Sequence, residues 1–320
     1  MDELHNALPR DRFLPLPDHD GKSSTERRTG VEVEFAGLTL EQAADIVSHE
    51  WGGTISRDGP RDLVVTGGRF GKVKVELDIT LKNAWVEDMA ADILGDLVPV
   101  EVVTAPMART DLPAVERLLA KLAEAGAKGS RAQLAYSFGV HLNPERPQSD
   151  SAVIAIARAY ALLEDWLRAA DPLDTARRVM PFVDPWPRAL VDRLAGAEGW
   201  ALADLGRAYA QHAPSRSYGL DLLPLLQDAV PDTLADVPPD HLKGGRPTFH
   251  YRLPESRLDE ADWSLAYEWN RWWVVETVAA DADLLAALAQ DWQDYRTALT
   301  TMRGDWLERV TNRLDLAATP

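Results

Sequence analysis

The sequence predicts an α+β fold built on a twisted, mainly antiparallel sheet that carries helices on one face. Segments that alternate apolar and polar residues are interspersed with segments of helical periodicity. Two alternating segments flank the Gly-rich stretch "TGGRFGK" at 66–72, which is typical of an antiparallel hairpin. With 320 residues, 46% hydrophobic content and 11 Trp, the chain can bury a sizeable core.

Composition also predicts the domain organisation. Residues 1–26 are polar and rich in Pro, Gly and Ser, which indicates an arm with little regular structure. No linker divides the remainder, so we interpret residues 27–320 as a single domain. Within that domain, 171–245 is a Pro-rich insertion and 259–314 holds the C-terminal helices.

The individual elements are marked by their boundary residues. Thr39 is predicted to cap the first helix, which ends at Gly52 and Gly53, and Asp111 is predicted to start a later helix. The predicted strands span 30–36, 62–66, 72–80, 98–104, 134–142 and 248–253. The predicted helices run from Thr39 to Gly52, over 84–96, from Asp111 to Gly126, and over 150–170, 200–211, 219–228, 259–279 and 282–314.

Charge and cysteine content narrow the classes of partner and site. The formal net charge of −17 repels phosphate backbones and anionic lipids, so we expect neither nucleic acid nor a membrane as partner. The chain has no Cys, which excludes disulfides, thiolate zinc sites and a cysteine nucleophile. No apolar run approaches the roughly 20 residues of a membrane span, and the first residues lack a signal-peptide core, so we expect a cytoplasmic location.

The alternation of the predicted strands sorts their side chains into two faces. Glu32 and Glu34 oppose Val31, Val33 and Phe35. The other strands add Lys72, Lys74, Glu76, Asp78, Glu101, Ser137, Gly139, His141, His250 and Arg252 to the polar side. If these strands join one sheet, its polar face gathers carboxylates, imidazoles and cations. Glu and His together suit Mg²⁺, Mn²⁺ or Zn²⁺, so the pattern predicts a metal site.

Each part of this pattern also has an ordinary structural interpretation. Glu32 and Glu34 alone would be a solvated strand face, and a single His on a strand is more often structural than a ligand. Lys72 and Lys74 alone would protect an edge strand from pairing with another chain. The prediction of a site therefore depends on all five polar strands together.

Five motifs in order resemble those of the amidoligases related to glutamine synthetase and glutamate–cysteine ligase. They are "RRTGVEVEF", "VKVELDITL", "VEVVTAPM", "FGVHLNPE" and "RPTFHYRLP", and the resemblance spans roughly residues 27–280. It implies a glutamine-synthetase-like catalytic domain with the active site on the polar face of the sheet. It also implies a reaction in which ATP phosphorylates a substrate carboxylate and an amine attacks the acyl phosphate to form an amide.

The resemblance implies roles for individual residues. ATP and Mg²⁺ or Mn²⁺ would be the cofactors, with small carboxylate and amine molecules as substrates facing the 171–245 insertion. Asp78 and Arg252 would be catalytic, and Lys74, Arg252 and Arg216 would contact the nucleotide. The metal ligands would be Glu32, Glu34, Glu101, His141 and His250.

Two residues depart from the motifs of that family. His250 stands where the family normally has Glu, and Asp221 stands in "RSYGLDLLPL" where Asn is usual. The first departure leaves open an alternative, a nucleotide- or metal-binding protein of the same fold without ligase activity. A metal-dependent hydrolase using the same face is a third possibility. The sequence specifies neither the two substrates nor an oligomeric state.

Overall fold

A computed structural model describes residues 7–19, 21, 26–77, 99–130, 138–170, 183–298, 300 and 302–314. Within these ranges the chain forms one eight-stranded sheet in the order β2-β3-β4-β5-β1-β6-β8-β7, and every strand pair is antiparallel. The strands are β1 (Thr29–Phe35), β2 (Thr54–Gly59), β3 (Asp62–Gly68), β4 (Gly71–Leu77), β5 (Val100–Val103), β6 (Val140–Pro144), β7 (Leu220–Asp221) and β8 (His250–Tyr251).

The same ranges contain α-helices that make the fold α+β, as the sequence predicts. They are α1 (Leu40–Trp51), α2 (Leu112–Glu124), α3 (Asp150–Ala170), α4 (Arg188–Ala195), α5 (Leu202–His212), α6 (Leu223–Ala229), α7 (Leu265–Ala280), α8 (Ala282–Thr297) and α9 (Arg303–Arg313). Among the described residues, no helix has both the length and the apolar character that a membrane span requires.

Helices pack on the apolar face of the sheet. Helix α1 contacts β3, β4 and β5. Trp272 of α7 lies with its ring centroid 5.3 Å from that of Phe249 and 5.2 Å from that of Tyr251. Tyr251 points away from the face that carries His250, because successive strand residues alternate. These contacts bury the apolar side chains of the sheet, and the polar side chains lie on the opposite face.

Helix α1 shows how local sequence sets the boundaries. The Gln42 amide donates to Thr39 Oγ1 at 3.2 Å, and the Thr39 amide donates to Gln42 Oε1 at 2.8 Å. This reciprocal pair forms a capping box that satisfies backbone donors of the first turn. Gly52 then takes a φ of 75°, which favours glycine and ends the helix. Both boundaries agree with the sequence prediction.

The structure corrects several predicted elements in the second half of the chain. The helix predicted over 219–228 begins at Leu223, because residues 220–221 pair with β8 as β7. The helix predicted from 259 begins after Ser264, whose hydroxyl caps α7. The single helix predicted over 282–314 is two helices, α8 and α9. The backbone is extended at Ala298, which ends α8, and the side chain of Asp305 accepts a hydrogen bond from the Met302 amide at the start of α9.

Strand β2 and helix α4 were also not predicted, and some predictions fall on residues that the structure does not describe. Strand β2 has side chains that are exposed or half-buried throughout, so its sequence carries no apolar alternation. Helix α4 was not predicted, although the sequence predicts two other helices, over 200–211 and 219–228, in the same Pro-rich insertion. The helix predicted over 84–96 lies outside the described residues.

The described part of the N-terminal arm is held by side chains of α7. Trp269 Nε1 donates to the Leu14 carbonyl at 2.8 Å, and the Leu14 amide donates to Asn270 Oδ1 at 3.0 Å. Glu276 lies with Oε2 3.1 Å from Nε2 of His19 in the arm, and it also accepts hydrogen bonds from Arg27 and from Trp272 Nε1. The arm therefore packs against the helix layer on the apolar side of the sheet.

Candidate metal centre

The strand register brings most of the predicted site residues onto one face. Glu34 of β1 is directly opposite Glu101 of β5, and Glu32 is directly opposite His141 of β6. At the far end, His250 of β8 is opposite Asp221 of β7. Directly opposed residues of an antiparallel pair point to the same side of the sheet. A continuous polar strip therefore crosses the middle of the sheet from β5 to β7.

One group of potential ligand atoms lies between β5, β1 and β6. Glu34, Glu101 and His141 each contribute one atom, and these atoms lie within 4.8 Å of one another. His141 Nε2 is 3.7 Å from Glu34 Oε1. The other oxygen of Glu34 accepts the Gly139 amide at 2.7 Å, which fixes the carboxylate on the strand. This arrangement could hold one divalent cation.

A second group lies beside the first and extends to β8. Glu32, His141 and His250 also place one potential ligand atom each within 4.8 Å of one another. Glu32 Oε2 is 2.9 Å from His141 Nδ1 and 3.8 Å from His250 Nε2. Asn143 Nδ2 donates to Glu32 Oε1 at 2.8 Å. Glu32 thus links the two imidazoles, whose centroids are 5.1 Å apart.

Burial and hydrogen bonding set the charge of these groups. Burial by itself raises the pKa of Glu32, but the hydrogen bond from His141, the electrostatic effect of the His250 and His141 imidazoles and the hydrogen bond from Asn143 outweigh it and hold the pKa well below its usual range. Burial lowers the pKa of His250 to about 4, against the opposing effect of Asp221. At neutral pH Glu32 is therefore a carboxylate and His250 is a neutral imidazole, and these are the forms of the two side chains that bind metal ions.

The sequence marks Asp221 as a departure from the family motif but does not predict it as a site residue. Its side chain is fully buried, with Oδ2 3.1 Å from His250 Nδ1 and 3.0 Å from Arg216 Nε, and Oδ1 accepts the Leu223 amide at 2.9 Å. Burial raises the pKa of Asp221, but the hydrogen bond with His250 and the nearby guanidinium groups bring it below the ordinary value. The sequence feature that could have indicated its burial is a carboxylate flanked by leucines, in "GLDLL".

The positively charged side chains that were predicted to take part in the site, Arg216, Arg252 and Lys74, have different surroundings. Arg216 is held by Asp221 through Nε, and its backbone carbonyl accepts a hydrogen bond from Arg252 Nη1. Lys74 is exposed on β4, opposite Val103, and Val103 is also opposite Glu32. Lys74 therefore shares the polar face with Glu32, two strands away. The predicted catalytic Asp78 lies outside the described residues.

An antiparallel sheet with helices on one side and clustered carboxylates and imidazoles on the other defines a protein with a candidate metal centre. The family model described as a putative amidoligase enzyme matches residues 25–274. The match covers most of the chain, so the protein belongs to this family, which confirms the resemblance seen in the five motifs. Family membership supports ligase activity. No curated protein matches this sequence.

Proposed function

We propose that this protein is an ATP- and divalent-cation-dependent ligase that joins a carboxylate to an amine through an acyl phosphate. The observation that carries the proposal is the pair of adjacent ligand groups on the polar face, one around Glu34 and Glu101 and the other around Glu32 and His250. Together with membership of the putative amidoligase family, it supports a glutamine-synthetase-like catalytic sheet.

The residues fit the metal that this chemistry calls for. Phosphoryl transfer uses divalent ions to bridge phosphate oxygens and offset developing charge. Glu34, Glu101 and His141 would hold one ion, and Glu32 and His250 would hold a second. Carboxylate oxygens suit Mg²⁺ or Mn²⁺, and the imidazoles widen the range to transition metals.

The chain's own groups would serve each stage of the reaction. Lys74 and Arg252 would stabilise the phosphoryl group as it passes from ATP to the substrate carboxylate, with ADP as the leaving group. Arg216 would contact the nucleotide through the guanidinium nitrogens other than Nε. The amine would then attack the acyl carbon, expel phosphate and pass its proton to Asp78.

The substrates in this proposal are small molecules. The net charge of −17 disfavours nucleic acid and anionic lipid as partners, and a chain with no Cys fits a reducing compartment such as the cytoplasm. The specificity-determining segments would be the loop around 105–112 and the 171–245 insertion, because loops on a rigid scaffold commonly carry recognition.

Turnover assays test this proposal directly. Purified protein is incubated with ATP, Mg²⁺ or Mn²⁺ and a panel of amino acids and amines. We expect ADP release only when a carboxylate and an amine are both present, and its loss in Glu101→Gln. The matched control, His49→Gln at an exposed position of α1, should keep full activity. Absence of both ADP release and ATP binding by calorimetry would contradict the proposal.

His250 in the place of the family's Glu favours a second candidate, a nucleotide- and metal-binding protein without ligase activity. Replacing a carboxylate by a neutral imidazole removes a negative charge from the cation site. The same calorimetry decides between the two candidates. Saturable binding of ATP with Mn²⁺, without ADP release for any pair of substrates, would favour the second candidate.

A further inference from the structure

We propose that Asp221 positions His250 so that Nε2 binds a divalent cation together with Glu32, and that this position selects a transition metal over Mg²⁺. The inference rests on the proposed function for the presence of a cation at this site. It adds the identity of the preferred cation and assigns a role to Asp221 and to the replacement at position 250.

The first observation is an unsatisfied nitrogen on His250. The side chain of His250 is nearly inaccessible, with 4% of the residue exposed. Its Nδ1 is engaged by Asp221, whereas within the described part of the chain its Nε2 has no hydrogen-bond partner. A buried polar atom without a partner is unfavourable, and it calls for an explanation such as a bound ion.

The second observation concerns which nitrogen of His250 carries the proton. Asp221 Oδ2 accepts from Arg216 Nε at 3.0 Å and Oδ1 accepts from the Leu223 amide at 2.9 Å, so the carboxylate acts as an acceptor on both oxygens. An accepting Oδ2 at 3.1 Å from Nδ1 places the imidazole proton on Nδ1. The lone pair is then on Nε2, which is the atom that faces Glu32.

The third observation is that the spacing fits a shared ion. His250 Nε2 lies 3.8 Å from Glu32 Oε2. Two ligands that are each about 2.1 Å from one ion can be at most about 4.2 Å apart, so this spacing lets both reach the same cation. Asn143 holds the other oxygen of Glu32, Oε1, through its Nδ2, and the Asn143 Oδ1 atom is buried without a hydrogen-bond partner among the described residues.

The type of ligand indicates the preferred metal. Imidazole nitrogen suits Zn²⁺ and Co²⁺ better than it suits Mg²⁺, which prefers oxygen ligands and retains water. A carboxylate that orients a ligating imidazole strengthens binding, and loss of such a partner typically weakens metal affinity roughly 10–100-fold. Asp221 and His250 are also the two departures from the family motifs. His250 removes a carboxylate from β8, Asp221 adds one to β7, and the two side chains are in contact.

Metal titration of the full-length, metal-free protein tests the proposal. Calorimetry should give tighter binding for Co²⁺ and Zn²⁺ than for Mg²⁺, by at least roughly tenfold. The Co²⁺ complex should show visible absorption that is characteristic of nitrogen ligation. Asp221→Asn should weaken Co²⁺ binding roughly 10–100-fold and change this spectrum. The exposed controls His49→Gln and Asp45→Asn should leave both measurements unchanged.

A double variant gives an independent readout. His250→Glu combined with Asp221→Asn keeps the charge of the pair when His250 is neutral, but it exchanges the imidazole ligand for a carboxylate. We expect this variant to bind Mg²⁺ more tightly than the wild type does and to lose its preference for Co²⁺. It also serves if Asp221→Asn alone fails to fold, which circular dichroism will show.

The outcomes separate this inference from the proposed function. The inference is overturned if Mg²⁺ binds as tightly as Co²⁺, or if Co²⁺ affinity and spectrum are the same in the wild type and in folded variants at 221 and 250. ADP release with Mg²⁺ in that case leaves the ligase proposal intact. Conversely, selective Co²⁺ binding through His250 without ADP release supports the inference and contradicts the ligase.

Discussion

Glu34 of β1 and Glu101 of β5 lie directly opposite each other in antiparallel register, on the same face of the sheet. Opposed like charges destabilise a strand pair, and the effect grows as water is excluded. Glu34 is buried, and His141 Nε2 is 3.7 Å from one of its oxygens. A divalent cation bound between the two carboxylates would remove their repulsion. The dependence of protein stability on metal is therefore a direct test of the site.

We therefore expect Mn²⁺ to stabilise the wild type against unfolding. A ligand at a hundredfold excess over its dissociation constant adds about 2.7 kcal/mol to the free energy of unfolding. Glu101→Gln should lose at least half of this increment, because it removes one charged ligand. Urea unfolding with Mn²⁺ or with EDTA measures it, and His49→Gln is the control. Equal stabilisation of Glu101→Gln and wild type would place the ion elsewhere.

The buried Glu276 predicts a pH dependence of stability. Burial raises its pKa, but hydrogen bonds from His19 and Arg27 outweigh that effect and bring the pKa below 4.5. A depressed folded-state pKa gives stability that is fully present above the unfolded value near 4.5 and is lost as the pH falls further. Urea unfolding between pH 7 and pH 3 should therefore show a steeper loss in the wild type than in Glu276→Gln.

At pH 7 the same variant should be less stable. Glu276→Gln leaves Arg27 without its buried carboxylate, and breaking a buried ion pair in this way costs about 3 kcal/mol. The exposed control, Glu308→Gln, should stay within about 0.5 kcal/mol of the wild type. An unchanged acid profile in Glu276→Gln would mean that other carboxylates determine the acid stability.

Gly219 precedes β7 in a position where a side chain does not fit. A Cβ there would lie 2.5 Å from Tyr160 Oη and 3.3 Å from Glu164 Oε1. We expect Gly219→Ala to destabilise the protein by about 1–3 kcal/mol, as overpacking does. The control Gly304→Ala meets no atom within 4 Å and lies in α9, so it should be neutral or slightly stabilising. Thermal unfolding compares the two variants.

Substitution of Lys74 tests the proposed active site without disturbing the fold. Its exposed side chain on β4 makes Lys74→Ala structurally mild, so the melting temperature should not change. Loss of a cation that stabilises the transferring phosphoryl group should lower ADP release roughly 100-fold. Lys121→Ala on α2 is the matched exposed control. Full activity in Lys74→Ala would remove this residue from the proposed mechanism.

The grouping of Glu32, Glu34, Glu101 and His141 could be predicted because strand alternation is a local property. Each strand alone assigns its side chains to a face, and the sheet only has to bring the strands together. The same is true of α1, whose capping residues lie within its own sequence. Local pattern and tertiary structure agree in these elements.

The contact between Asp221 and His250 could not be predicted in this way. Strand β7 has two residues, and it forms only because β8 offers a partner, so no periodicity marks it. The sequence predicts helix over all of 219–228, whereas α6 begins only at Leu223, with Pro224 in its first turn. Tertiary pairing overrode local propensity at the position that orients His250.

The sheet order also dictates when the candidate site can exist during synthesis. Strand β1 is among the first elements to leave the ribosome, yet its neighbours β5 and β6 and the His250 strand come much later in the chain. At about 5–20 residues per second, the ribosome needs roughly 10–45 s to pass from Glu32 to His250. A nascent chain therefore carries the carboxylates well before the imidazole of β8, and its cation affinity should mature only once β8 has been made.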